Sequence, residues 1–87
     1  GMTIDIGHAN TVGLVREFLP LISAASHLHV HDNHGVHDEH LFLGAGTIDW
    51  DCVGKSIARD YTGIVVVEGR SLEEGKESLR IVRSWQP

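Results

Sequence analysis

His27-Leu28-His29-Val30-His31 alternates apolar and polar side chains without a break, and a period of two is the signature of a strand. Side chains two apart share a face. Leu28 and Val30 therefore face one way, and His27, His29 and His31 the other. Outward from this segment the pattern repeats with helices between. Gly63-Ile64-Val65-Val66-Val67-Glu68 is a β-branched run and reads as a buried strand, and Thr3-Ile4-Asp5-Ile6 reads as a short strand ending at Gly7. Leu14, Val15, Phe18 and Leu19 have one-face helical spacing, which predicts a helix over 11–19 interrupted by Pro20. Asp49 is a candidate cap for a helix running to about Arg59, with Val53 and Ile57 on its inner side. Ser71-Leu72-Glu73-Glu74 has capping-box spacing and opens a last helix ending near Trp85. The order β, α, β, α, β, α implies an α/β fold of three βα units with parallel strands and right-handed crossovers.

Parity then sorts the strands' side chains. Ile4, Ile6, Leu28, Val30, Val65 and Val67 pack under the helices, while Asp5, the strand histidines and Glu68 turn to the opposite face. Asp5 and Glu68 also stand at the C-terminal ends of their strands, where parallel α/β proteins build active sites. Six of the seven histidines lie between residues 27 and 40, namely His27, His29, His31, His34, His37 and His40. Asp, His and Glu at strand ends are the ligand types of a divalent ion such as Zn²⁺ or Mn²⁺. Asp5-x-x-His8 and Asp38-x-His40 add two local pairs.

Bulk properties set limits. Eighty-seven residues make at most one small domain, expected over 2–87, with Gly1 before Met2 read as a tag-cleavage scar. The net charge of -5 with no basic stripe argues against a phosphate-backbone partner. No stretch is apolar for long enough to span a membrane and no signal-peptide pattern opens the chain. The lone Cys52 forms no internal disulfide, which fits the cytoplasm.

The succession Asp5-Ile6-Gly7-His8-Ala9-Asn10, His29-Val30-His31-Asp32-Asn33, Asp38-Glu39-His40, Gly44-Ala45-Gly46-Thr47-Ile48-Asp49-Trp50 and Val67-Glu68 resembles the xylose isomerase-like barrels, which include sugar isomerases and epimerases and endonuclease IV. The resemblance implies strands six to eight of a TIM barrel, a partial barrel without its N-terminal half. It implies that Asp5, His29 and Glu68 are ligands of the shared metal. His8, Asp38 and His40 match the set that holds a further zinc in endonuclease-like members, while the His8 position contacts substrate in epimerase-like ones.

Glu68 and His8 are accordingly the candidate catalytic residues, and His31 and Arg70 the candidate substrate contacts. The expected function is that of a divalent-metal-dependent sugar or sugar phosphate isomerase or epimerase. The alternatives are a zinc phosphodiesterase acting on abasic DNA and a non-catalytic metal-binding fragment. Three βα units do not close a barrel, so self-association is expected as well.

Simpler roles are expected for several neighbours. His27 reads as a packed or hydrogen-bonded residue, and His34 and His37 as solvated. Asp32 reads equally as a turn former or a ligand neighbour. Glu68, if buried, needs a partner, and Arg70 is near in sequence. Trp50, Cys52 and Trp85 read as packing residues, and Glu73, Glu74, Lys76 and Glu77 as a solvated helix face.

Overall fold

The structure, a computed structural model, describes residues 2–85; Gly1, the expected scar, lies outside them. Strands β1 (Met2–Asp5), β2 (Ala25–Val30) and β3 (Ile64–Val67) form one parallel sheet in the order β1-β2-β3, not closed on itself. The histidine strand is central. Its register sets Asp5 beside His29 and His29 beside Val66.

One face of the sheet carries the core. Ile4, Leu28 and Val30 are buried there with Ile6, Ile22, Leu43, Val53, Ile57 and Val82, and the half-buried Val65 and Val67 pack against them, as the alternation predicts. Each fully buried aliphatic side chain contributes about 1.5–3 kcal/mol. The other face bears Thr3, Asp5, His27, His29, Ile64, Val66 and Glu68, none of which is buried.

The helix predicted over 11–19 is replaced by three shorter pieces. Helix α1 (Ile6–Thr11) begins directly at the strand end, because the Asp5 side chain accepts the His8 N–H at 2.8 Å and so caps it. Ile6 is thus a buried first-turn helix residue and not the end of a strand. Gly13, at φ 72°, turns the chain in a conformation that only glycine adopts readily. Helix α2 (Val15–Phe18) follows, then a 3-10 helix over Leu19–Ala24. Pro20 sits in the first turn of that helix, where its missing N–H costs nothing, so it opens an element where the spacing suggested an interruption.

Helix α3 (Trp50–Asp60) is capped by Asp49, which accepts the Cys52 N–H at 3.1 Å. Helix α4 (Leu72–Arg83) is capped by Ser71, which accepts the Glu74 N–H at 3.2 Å. Trp85 stacks on Trp50 with ring centroids 6.0 Å apart. Gly54 permits this, since a Cβ there would lie 2.3 Å from the Trp85 ring nitrogen. Cys52, expected in the core, is exposed, because the inward stripe of α3 runs through Trp50, Val53, Gly54 and Ile57. No helix among the described residues is long and apolar enough to cross a membrane.

Candidate metal centre

The C-terminal ends of the three strands converge. Asp5 closes β1, His29 lies next to the end of β2, and Glu68 follows β3 with its N–H bonded to the Val30 carbonyl at 3.1 Å. One potential ligand atom from each of Asp5, His29 and Glu68 falls within 4.8 Å of the other two. His29 Nδ1 donates to Glu68 Oε1 at 2.5 Å. All three side chains are partly exposed on the open face of the sheet.

A second trio stands beside the first. One potential ligand atom from each of His31, Asp38 and His40 likewise falls within 4.8 Å of the other two. The His31 and His40 rings stack at 4.3 Å and 21°. His40 holds its backbone at φ 54°, an uncommon conformation for a residue with a Cβ. The trios share contacts: His31 Nε2 lies 2.8 Å from Asp5 Oδ1, and His40 Nε2 lies 3.2 Å from Glu68 Oε2.

His31 is fully buried, and Gly7 makes the space for it. A Cβ on Gly7 would lie 2.1 Å from His31 Cε1, so no other residue fits there without moving the ring. Of the two ring nitrogens, Nε2 bonds Asp5. Nδ1 is the one buried side-chain polar atom without a hydrogen-bond partner among the described residues.

The loop from 31 to 49 is built on a buried carboxylate. Asp32 Oδ1 accepts the N–H groups of Asn33 and Ile48, and Oδ2 accepts those of Gly44 and Gly46 together with Trp50 Nε1. Asp32 also exchanges both backbone hydrogen bonds with Leu41 at 2.8 Å. Gly46 must be small, because a Cβ would lie 2.1 Å from the Asn33 carbonyl oxygen. Asn33, also buried, donates to the Gly7 carbonyl at 2.8 Å and accepts from Asn10 at 2.6 Å. The glycine-rich segment is therefore the cradle of Asp32, and Asn33 ties that cradle to α1.

Charge distribution tunes the centre. Burial pushes the Asp5 carboxyl upward, but the His31 hydrogen bond, the His8 N–H and the nearby imidazoles outweigh it and hold the group below its ordinary value. Burial pushes His31 downward, while the Asp5 hydrogen bond and the charges of Asp5, Glu68 and Asp38 outweigh it and raise the group.

Two carboxylates and an imidazole gathered on a partly exposed surface are hard and borderline donors that suit Zn²⁺ or Mn²⁺. The buried, unpartnered Nδ1 of His31 beside them is the atom that a neighbouring cation would satisfy. The residues present thus fit a divalent ion.

The remaining candidates sit apart. The exposed His8 engages Asp5 through its backbone, and its imidazole belongs to neither trio. Arg70 pairs with Glu74 at 3.2 Å, so Glu68 is partnered by His29 and His40 and not by Arg70. His27 bonds Ser26 Oγ at 3.1 Å, His34 pairs with Glu39 at 3.0 Å, and His37 is exposed. Sequence reasoning missed the burial of His31 and the hub formed by Asp32. The run Asp32-Asn33 followed by a glycine-spaced loop held the only signal for either.

The family model for the xylose isomerase-like TIM barrel matches residues 1–85. Uncharacterized protein MJ1311 of Methanocaldococcus jannaschii is 34% identical over 90 residues, covering 98% of this chain and 31% of that protein. Uncharacterized protein MJ1614 of the same organism is 30% identical over 74 residues, covering 84% of this chain and 30% of its own length. The crystal structure of a D-tagatose 3-epimerase-like protein superposes with a TM-score of 0.86 at 34% identity, covering 98% of this chain and 34% of that one. The chain spans about a third of the length of each of these relatives.

Proposed function

This chain belongs to the xylose isomerase-like TIM barrel family, and we propose that it carries the metal-binding part of a sugar or sugar phosphate isomerase or epimerase. The observation behind this reading is the convergence of Asp5, His29 and Glu68 at the carboxyl ends of three parallel strands, the end at which barrel enzymes place their chemistry. The likeness to a D-tagatose 3-epimerase-like protein supports the same reaction class.

Asp5, His29 and Glu68 hold the divalent cation. When bound, it supplies a Lewis acid for the carbonyl and hydroxyl of a sugar. Glu68, with one oxygen toward His29 and the other toward His40, is the carboxylate that moves a proton between adjacent carbons. His8, exposed beyond Asp5, contacts the substrate, and Arg70 exchanges Glu74 for a substrate phosphate. The open face bearing Thr3, His27 and Ile64 is covered in the active assembly by further strands or by a second copy of the chain.

The chain loaded with Mn²⁺ or Zn²⁺ is incubated with a panel of ketoses and ketose phosphates in heavy water, and exchange beside the carbonyl is followed by NMR. Metal-dependent exchange that His29→Ala abolishes is the expected result. Cleavage of an abasic-site duplex without any sugar exchange would replace this reading with phosphodiester chemistry, which Asp38 and His40 favour but the net charge of -5 opposes.

A further inference from the structure

We propose that Asn33 is a positioning residue of the centre: its side-chain amide clamps the first turn of α1 to the root of the 34–40 loop and so aims the Asp5 carboxylate. The proposal rests on the reading that Asp5, His29 and Glu68 hold a divalent cation, and its test separates the two.

Asn33 is fully buried just past the end of β2. Its Nδ2 donates to the Gly7 carbonyl at 2.8 Å. Its Oδ1 accepts the Gly35 N–H at 2.9 Å and Asn10 Nδ2 at 2.6 Å. A carbonyl only accepts and a backbone N–H only donates, so Gly7 and Gly35 leave the amide one orientation. A carboxylate at this position would set an oxygen against the Gly7 carbonyl, and an aliphatic side chain would make none of these bonds. The two glycines have no side chain with which to hold themselves. At Gly7 the His31 ring fills the space of a Cβ, and at Gly35 the backbone turns at φ 84°. The amide of Asn33 supplies the hold that they lack.

From Gly7 the constraint passes to the centre through one further bond. The next residue, His8, donates its N–H to Asp5 Oδ1 at 2.8 Å, and His31 Nε2 meets the same oxygen at 2.8 Å. Both contacts fall on Oδ1, so the turn of the carboxylate about its own bond follows the placement of the first turn of α1. Asn33 holds that turn. From Gly35 the chain runs on to His40, whose Nε2 lies 3.2 Å from Glu68 Oε2. One amide at the end of the central strand thus reaches the carboxylates of both outer strands. Groups that orient metal ligands from behind alter affinity roughly 10–100-fold when they are removed. A buried polar cluster with its bonds made also favours one arrangement over its neighbours, which an apolar filling does not.

The experiment is a titration of the chelated chain with Co²⁺, read by visible absorption, which reports the geometry around the ion as well as its affinity. The parent chain is expected to bind cobalt and to lose it on His29→Ala. Asn33→Leu keeps the branched outline of the side chain and removes every bond of the amide. It is expected to weaken cobalt binding about 10-fold or more and to change the spectrum of the ion that still binds. Ser78→Ala removes a different buried hydrogen bond, to the Leu43 N–H at 3.0 Å, that involves neither Gly7 nor Gly35. It is expected to lower stability and to leave cobalt affinity and spectrum as they were. Asn10→Ala, at a half-buried position, is expected to act as Asn33→Leu does but to a smaller extent. It decides alone if Asn33→Leu does not fold. Unchanged affinity and spectrum in the deciding variant overturn the proposal and leave the Asp5, His29 and Glu68 reading standing. Equal weakening in Ser78→Ala also overturns it, since the loss would then follow stability. A parent chain that binds no cobalt overturns both.

Discussion

Gly7 and His31 occupy one space between them: a Cβ on Gly7 would lie 2.1 Å from Cε1 and 2.2 Å from Nδ1 of the His31 ring. The backbone of Gly7 lies in α1 without a positive φ, so the requirement for glycine is steric and not conformational. Gly7→Ala therefore moves a buried imidazole that also bonds Asp5. It is expected to destabilise the chain by about 1–3 kcal/mol, the range for overpacking a tight interior. Gly75→Ala is the opposite case, since nothing lies within 4 Å of a Cβ there and α4 gains helix propensity worth about 1 kcal/mol. Chemical denaturation of both variants checks the contrast, and equal signs would contradict it.

Asp32→Asn tests the loop hub. Asp32 Oδ2 faces three donors, the N–H groups of Gly44 and Gly46 and the Trp50 indole. An amide placed with its NH₂ on that side sets donor against donor; flipped, it opposes Asn33 and Ile48 instead. Either way buried N–H groups lose their acceptor, each at about 1–3 kcal/mol. The expected loss, on the order of 3 kcal/mol or more, is a large part of a small domain's stability. Trp50 fluorescence during denaturation reports it directly. A midpoint unchanged from the parent chain would show that the carboxylate is not what holds the loop.

The pH dependence of the chelated chain follows from the Asp5–His31 pair. Asp5 is lowered from 3.8, so its contribution is complete above that value and is lost as pH falls through the lower folded value. His31 is raised from 6.5, so its contribution is complete below that value and is lost as pH rises through the higher folded value. The metal-free chain is thus expected to be most stable between 3.8 and 6.5 as far as this pair decides it. Thermal melts in chelator across that range check the window. A stability that rises steadily past neutral pH would count against the pair.

The strands were legible because alternation is a strict period. Ile4, Leu28 and Val30 went to the core and Asp5, His29 and Glu68 to the open face by parity alone. The caps at Asp49 and Ser71 were legible because side-chain chemistry sets them locally. The start of α1 was not. Asp5 serves at once as strand end, cap and acid of the centre, and no periodicity registers a residue with three roles. The burial of His31 and the convergence of donors on Asp32 depend, apart from the adjacent Asn33, on contacts from 12 to 26 positions away, which only folding brings together. Cys52 failed as a core residue because the inward stripe of α3 is narrow and excludes it.

Cation binding should also appear as stability. The close carboxylates of Asp5 and Glu68 repel each other in the metal-free chain, and an ion that binds only the folded state stabilises it by mass action. At a free concentration 100-fold above Kd the gain is about 2.7 kcal/mol. Zn²⁺ or Mn²⁺ is therefore expected to raise the melting temperature by several degrees, and chelator to reverse the rise. Glu68→Gln preserves the shape of the side chain and an oxygen able to accept from His29, but removes the charge that holds the ion. The metal-induced rise should shrink or vanish in that variant, measured against the variant's own metal-free melting temperature. Calorimetry on both chains with and without the ion decides it: an identical rise in Glu68→Gln would remove Glu68 from the ligand set and leave its carboxylate to His29 and His40 alone.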